Sequence, residues 1–314
     1  MRRSRRNALK AVATLALGAS IPGARLLAQQ RPVKIGMGVA QTGPLAASGK
    51  AALVALRMWV EDVNARGGLL GRRVELIAYD DQGSASATPV VYAKLLDVDR
   101  VDLLIAPYGT VPTAPLMGMV KSRGKLLMAT SFQVNHVVKH DMWFNNVPWN
   151  DAGSFPRGFF RIGQGQGANN VAFLAADNEF AQSLANGARE FAKQFGLKIL
   201  YDQNYAPGST DFSSMIRCIR AVRPNVVFVM SCPAESVQIV RAVGEIGVGA
   251  SVKIFGGGMV GLQYTPIMES LGSALNSIRN YSTYVPGIEY ECIEAFFSRY
   301  SKRAIEARVD PLGF

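Results

Sequence analysis

Residues 33–84 read VKIGMGVAQTGPLAASGKAALVALRMWVEDVNARGGLLGRRVELIAYDDQGS, and this stretch decides the fold. It opens on VKIGMGVA, an apolar run of small and β-branched residues suited to a strand buried on both faces of a parallel sheet. A Gly/Pro turn follows at once. Ser48 stands where a helix N-cap belongs, and Ala52, Leu53, Leu56, Trp59, Val60 and Val63 recur at helical spacing until Gly67 and Gly68 end the run. RVELIAYDD (73–81) supplies a second strand and completes a βαβ unit. Right-handed crossover then puts the loop 41–49 at the carboxyl edge of the sheet, where open α/β sheets bind ligands.

The alternation continues outward. A helix over 87–98 leads to a strand at 101–107, a helix at 112–123 and a strand at 125–131. Residues 132–150, with Asn, His, Pro148 and the tryptophans 143 and 149, break the rhythm and mark a crossing into a second lobe. There the spacing predicts helices near 152–164, 180–195, 211–222 and 234–246, and strands at 170–177, 197–205, 225–231 and 252–257. A strand near 279–285, ending at Pro286, returns the chain to the first lobe, where 288–306 is an amphipathic helix. The predicted fold is therefore α/β, with residues 31–147 plus 285–314 as the first lobe and 148–284 as the second. A length of 314 residues suits two such cores.

Composition narrows the function. The net charge of +11 suggests a polyanion partner until its distribution is read: six of the eleven excess charges lie in residues 1–28, which contain no acid, so five remain. No zinc-finger, RNP or helix-turn-helix pattern accompanies them, and nucleic acid is excluded as a partner. Residues 1–28 have a basic start, a short Ala/Gly-rich apolar run and small residues before Gln29, the features of an export signal. Ser4-Arg5-Arg6-Asn7-Ala8-Leu9-Lys10 is similar to the twin-arginine motif, with Ala8 where Phe is usual. Three cysteines, Cys218, Cys232 and Cys292, allow at most one internal bridge and read as buried reduced thiols.

The recognised catalytic and cofactor patterns fail on spacing. Gly36-Met37-Gly38 lacks the third glycine of a dinucleotide fingerprint, and Asp80 lies too far on to hold a ribose. Gly43 to Gly49-Lys50 is one residue too long for a phosphate loop, and Ala51 stands where Ser or Thr is required. His136 and His140 read as a solvated edge rather than a metal pair, and no G-x-S-x-G elbow occurs. No cofactor, metal or enzymatic step is expected.

The segments TGPLAASGKAAL (42–53), Val63-Asn64-Ala65-Arg66-Gly67-Gly68 and LLGRRVELIAYDD (69–81) resemble the periplasmic leucine/isoleucine/valine-binding protein family, the type I solute-binding proteins of ABC importers. The resemblance runs from about residue 33 to the end. It implies two Rossmann-like lobes joined by crossover strands, acting as a monomer in the periplasm. A small amino acid, or another carboxylate or amide, is captured between the lobes and delivered to an inner-membrane ABC permease. Because Phe314 falls short of where the family ends, the resemblance also implies that the C-terminal part of the fold is missing.

Site residues follow from the same resemblance. Tyr108-Gly109-Thr110 and Ala129-Thr130-Ser131 end two strands; their free amides and hydroxyls suit a carboxylate, although Thr110 also reads as a helix cap and Ser131 as a turn residue. In the family these loops hold the ligand's carboxylate and part of its ammonium. Phe180 matches a position that touches ligand, while Ser48 and Cys232 replace family aromatics. Gly258, in Gly256-Gly257-Gly258-Met259, occupies the region where relatives carry an acid for the ammonium. An unpaired buried ammonium costs several kcal/mol, so a free amino acid requires another acid such as Glu179 or Glu235. Tyr108, Phe132 and Trp149 line a wider apolar pocket or belong to the core. Two other readings are a clamp that signals to a sensor partner and an exported nucleotide-binding oxidoreductase.

Overall fold

The computed structural model describes residues 31–129, 139–146, 154–281 and 292–311. Two five-stranded parallel sheets carry the fold. The first contains β1 (Val33–Val39), β2 (Val74–Asp80), β3 (Leu103–Ile105), β4 (Leu127–Ala129) and β5 (Trp143–Asn145), in the order β2-β1-β3-β4-β5. The second contains β6 (Asn170–Ala176), β7 (Lys198–Tyr205), β8 (Val226–Ser231), β9 (Ile254–Met259) and β10 (Ile278–Asn280), in the order β10-β9-β8-β6-β7. The strand–helix alternation produces this outcome, because consecutive parallel strands need a crossover and the helices cover the faces. The export-signal segment, residues 132–138 and 147–150 of the first proposed crossing, and residues 282–285 of the returning strand lie outside the described residues.

In the second sheet, β6 and β8 are buried on both faces, which is why they read VAFLAA and VVFVMS without polar alternation. Phe159 and Phe160, from α5 (Arg157–Gly165), pack their rings on Phe228 of β8, and Phe173 of β6 meets Phe228 edge-on. Gly256 has φ +133, and a Cβ there would lie 2.0 Å from the Arg279 carbonyl oxygen; glycine lets β9 run beside β10 at that point. The strand therefore continues to Met259, two residues beyond the predicted end.

Several expectations change. Helix α1 (Ala46–Ala65) starts two residues before Ser48, so Ser48 lies in its first turn and is not its N-cap. Trp59 is 38% exposed, while Ala51, Val54 and Met58 are buried against a second helix, α10 (Ile293–Glu306), through Tyr300 and Ala304. The ion pairs Arg299–Asp62 and Arg303–Glu61 border that contact. The predicted helix 112–123 is broken into α3 (Thr110–Thr113), a 3-10 turn (Ala114–Leu116) and α4 (Met117–Ser122), since Pro112 and Pro115 remove backbone donors. Strand β5 falls inside the stretch read as a pure crossing. His140 is buried rather than solvated, with Nε2 2.8 Å from the Lys125 carbonyl oxygen. Cys218 and Cys292 are exposed, against the expectation of three buried thiols. Among the described residues no helix is long and apolar enough to cross a membrane.

The first turn of α1 comes unusually close to the end of β1. A Cβ on Gly49 would stand 2.0 Å from the Ala40 carbonyl oxygen. Gly49→Ala is therefore expected to lower stability by about 3 kcal/mol in urea unfolding, at the upper end of overpacking costs. Gly118→Ala, with nothing within 4 Å of the added methyl, is expected to leave stability unchanged or raise it by up to about 1 kcal/mol.

Candidate functional site

Segments that follow the carboxyl ends of strands in the two sheets meet, Ser48 after β1 with Tyr264 after β9 and the turn after β3 with the helix after β6. In the first sheet, loop 41–45 is held by Asp80. Its carboxylate accepts from the amides of Gln41 (2.9 Å), Thr42 (3.3 Å) and Gln82 (2.9 Å) and from the Thr42 hydroxyl (2.7 Å). Partial burial raises the Asp80 pKa, but these hydrogen bonds outweigh it and hold the carboxyl below its ordinary value. The acid is a structural tie.

That tie fixes the entry to α1 and so the place of Ser48. The Ser48 side chain is buried, and its hydroxyl hydrogen-bonds the Tyr264 hydroxyl, on the loop between β9 and α9 (Thr265–Leu271) of the second lobe. Burial, then the nearby Tyr108 phenol, pushes the Tyr264 pKa up to about 12, although the Ser48 bond opposes this. Tyr264 therefore stays neutral, and its O–H remains a donor, through the physiological range.

Gly109 takes φ +98 just before α3, and Thr110 follows it. The cap reading of Thr110 fails. Gly109 is the N-cap, and Thr113 rather than Thr110 returns its hydroxyl to the Gly109 carbonyl, at 2.6 Å. Thr110 is 2% exposed and its Oγ1 has no hydrogen-bond partner among the described residues. A buried hydroxyl without a partner is costly unless something else occupies it. Its turn packs against α6 (Glu179–Gln194) of the opposite lobe. Phe180 is the second residue of that helix, partly buried on the second-lobe core.

Beside it, Asn178 caps α6 by accepting from the Ala181 amide at 3.0 Å and points its Nδ2 at the Cys232 sulfur, 3.7 Å away. Cys232 caps α8 (Pro233–Ile246) together with Glu235. Both Glu235 oxygens are engaged, accepting from the Gly208 amide (2.7 Å) and the Cys232 amide (2.8 Å). The expectation that Glu235 turns toward a ligand ammonium is therefore corrected: this buried carboxylate is tied to two backbone donors. Burial and then the Glu235 charge push the Cys232 thiol up to about 11, against a small opposing effect of Asn178, so it is not a nucleophile at neutral pH.

Ser48, Gly109, Thr110 and Phe180 thus lie where the two lobes meet, and Tyr108 and Cys232 are near enough to Tyr264 to act on its phenol. Gly258 does not lie there. It lies within β9, where a Cβ would meet Met230 (2.8 Å) and Leu184 (3.4 Å), so it faces the second-lobe core. Ala129 ends β4 and is buried, its carbonyl accepting from Asn146 at 3.0 Å; Thr130, Ser131, Phe132, His136 and Trp149 lie outside the described residues. Tyr264 was missed by sequence reasoning. Its signal is Tyr264-Thr265-Pro266 just past a strand and opening a helix, much as Tyr108-Gly109-Thr110 is followed closely by Pro112.

A family model described as periplasmic binding protein matches residues 32–312. The chain belongs to that family. Leu/Ile/Val-binding protein homolog 7 of Brucella suis is 24% identical over 307 residues, covering 89% of this chain and 74% of the relative. Among solved structures, the branched-chain amino acid transporter substrate-binding protein LivJ of Streptococcus pneumoniae, in complex with isoleucine, is similar with a TM-score of 0.75 and 20% identity, covering 90% of this chain and 79% of that one. A solute-binding protein of an ABC transporter from Rhodopseudomonas palustris BisB5, in complex with 3,4-dihydroxybenzoic acid, is similar with a TM-score of 0.74 and 16% identity, covering 90% and 76%. The two-lobed parallel architecture is the one expected of a type I periplasmic binding protein.

The buried acids and phenols set an alkaline limit. Cys232 is raised from 9.0 to about 11, and Tyr264 and Tyr300 from 10.0 to about 12, so the native state holds these protons after the unfolded chain has released them. Stability should be level up to about pH 9 and fall as pH rises toward 12. Urea midpoints measured across this range check the sign, and Cys232→Ser is expected to remove the fall that begins at pH 9 and leave the one that the phenols begin at pH 10.

Proposed function

We propose that this chain is the exported substrate-binding protein of an ABC importer of the branched-chain amino acid type, and that it receives a small carboxylate between its lobes. The observation that carries the reading is the Thr110 hydroxyl, buried and without a partner among the described residues, beside the Gly109 turn, on an edge opposed by Tyr264. A carboxylate oxygen there would accept from Thr110 and from free amides at the turn, and the neutral Tyr264 phenol supplies a donor from the other lobe. Binding to the first lobe followed by hinge closure brings up the Phe180 and Tyr264 loops, and the closed form then docks on its permease in the inner membrane. No covalent step is required.

Support for the ligand class comes from the acids around Tyr264. Glu235 is tied to two amides and Asp310 accepts from Thr265, so neither is disposed to pair with an ammonium. A carboxylate or amide without an ammonium fits this surrounding better than a free amino acid. Family relatives and structural neighbours include proteins named for branched-chain amino acids and others solved with benzoate or 3,4-dihydroxybenzoate, so both ligand types suit the scaffold.

The test is calorimetry and thermal shift on the chain from Gln29, with leucine, isoleucine, valine, their 2-keto acids, benzoate, 3,4-dihydroxybenzoate and short amides. Binding by the carboxylates is expected, with stabilisation of about 2.7 kcal/mol at a hundredfold excess over Kd. Thr110→Val should weaken that binding by about 10- to 100-fold, the loss of a hydrogen bond to a charged group, while Thr110→Ser retains it. Binding by the amino acids, abolished in Glu179→Gln, would overturn the ligand class; silence across the panel would overturn the reading.

A further inference from the structure

Two adjacent residues of the second lobe are bonded to the first. Tyr264 hydrogen-bonds Ser48 through the two hydroxyls. Its neighbour Thr265 donates twice to Asp310, from the backbone amide to Oδ2 (2.7 Å) and from the hydroxyl to Oδ1 (2.8 Å). Thr265 is the first residue of α9, whose opening amides have no partner within the helix. Asp310 thus caps a second-lobe helix from outside that lobe. It follows α10, and α10 is fastened to α1 by Arg299–Asp62, Arg303–Glu61 and the packing of Tyr300 and Ala304 on Ala51, Val54 and Met58. Ser48 belongs to α1 as well. Both partners of the Tyr264-Thr265 pair therefore ride on one rigid two-helix unit.

We propose that Asp310 is a positioning residue for Tyr264: its carboxylate clasps Thr265 when the lobes meet and so aims the Tyr264 phenol across the cleft at Ser48. The inference rests on the two-lobe clamp described above. A bidentate grip on one residue fixes the backbone from which the next side chain projects, and the phenol then has a defined reach. Opening breaks the clasp and the Tyr264–Ser48 bond together, so Asp310 governs how long the closed form persists without touching ligand itself.

The chain carries its own reporters. Cys218 lies exposed on α7 (Ser213–Val222) of the second lobe and Cys292 exposed at the start of α10, and both are free thiols. With Cys232→Ser in every arm, nitroxides on these two cysteines give the interlobe distance by electron spin resonance, with no ligand added. Asp310→Ala is expected to broaden and lengthen the distribution, raising the open population on the order of tenfold, and Asp310→Asn, which keeps one acceptor, to fall between it and the parent. Global urea unfolding should move by no more than the loss of one helix cap. Tyr264→Phe should lengthen the distance less than Asp310→Ala does, since the clasp on Thr265 remains.

An unchanged distribution in Asp310→Ala overturns the proposal, as does a change matched by an equal loss of global stability that Asp310→Asn fails to rescue. The outcome is separable from the ligand reading. A silent ligand panel with a lengthened Asp310→Ala distance removes the carboxylate site and leaves the clasp; binding with an unmoved distance does the reverse.

Discussion

Four hydrogen bonds converge on the Asp80 carboxylate, and most of what happens between the lobes depends on them. They pull the loop after β1 onto the end of β2 and fix the angle at which α1 leaves the sheet. Gly49 then slides under the Ala40 carbonyl, and Ser48 is brought to the edge of the lobe rather than into its solvent-facing turn. A loop free to drift by an ångström would lose the Ser48–Tyr264 contact, because hydroxyl hydrogen bonds weaken steeply with distance and angle. The same acid, read as a ribose partner, would have been a cofactor residue; its saturation by amides shows why a carboxylate at a strand end is so often architecture.

Much of the scaffold was legible because burial on both faces leaves a run of apolar residues that no other element tolerates. VKIGMGV, VAFLAA and VVFVMS each became a central strand. Short edge elements were harder. Strand β5 offers three residues, Trp-Phe-Asn, whose strand character comes from its partner β4 rather than from its own pattern. Glycines misled for a related reason: Gly256 and Gly257 read as the end of a strand, whereas Gly256 lets the backbone of β10 come close and Gly257 leaves room for the Phe228 ring of β8, while the ladder runs on to Met259.

The candidate site was half legible. Loop positions such as Tyr108-Gly109-Thr110 are set by topology, since every crossover returns its loop to the same edge. What could not be read was the pairing across lobes. Ser48 and Tyr264 are 216 positions apart, and no local spacing encodes a contact made when two separately folded sheets dock. Glu235 escaped for another reason: only its two bonded amides disclose that an acid three residues past a cysteine is part of a helix cap.

The outer strand β7 shows how such a protein tolerates crowding. Its sequence, KILYDQNY, carries Lys198, Asp202, Gln203 and Asn204 along a partly exposed ribbon, and its register against β6 slips between Val171 and Ala172. Arg189 grips Asp202 with two hydrogen bonds, at 2.8 and 2.7 Å, laying a charged side chain against the strand. At the opposite border β10 is three residues long. A charged, kinked strand on one side and a stub on the other give a neighbouring copy no straight ladder to extend, so the second sheet is shielded from edge-to-edge polymerisation even when many copies share a confined space.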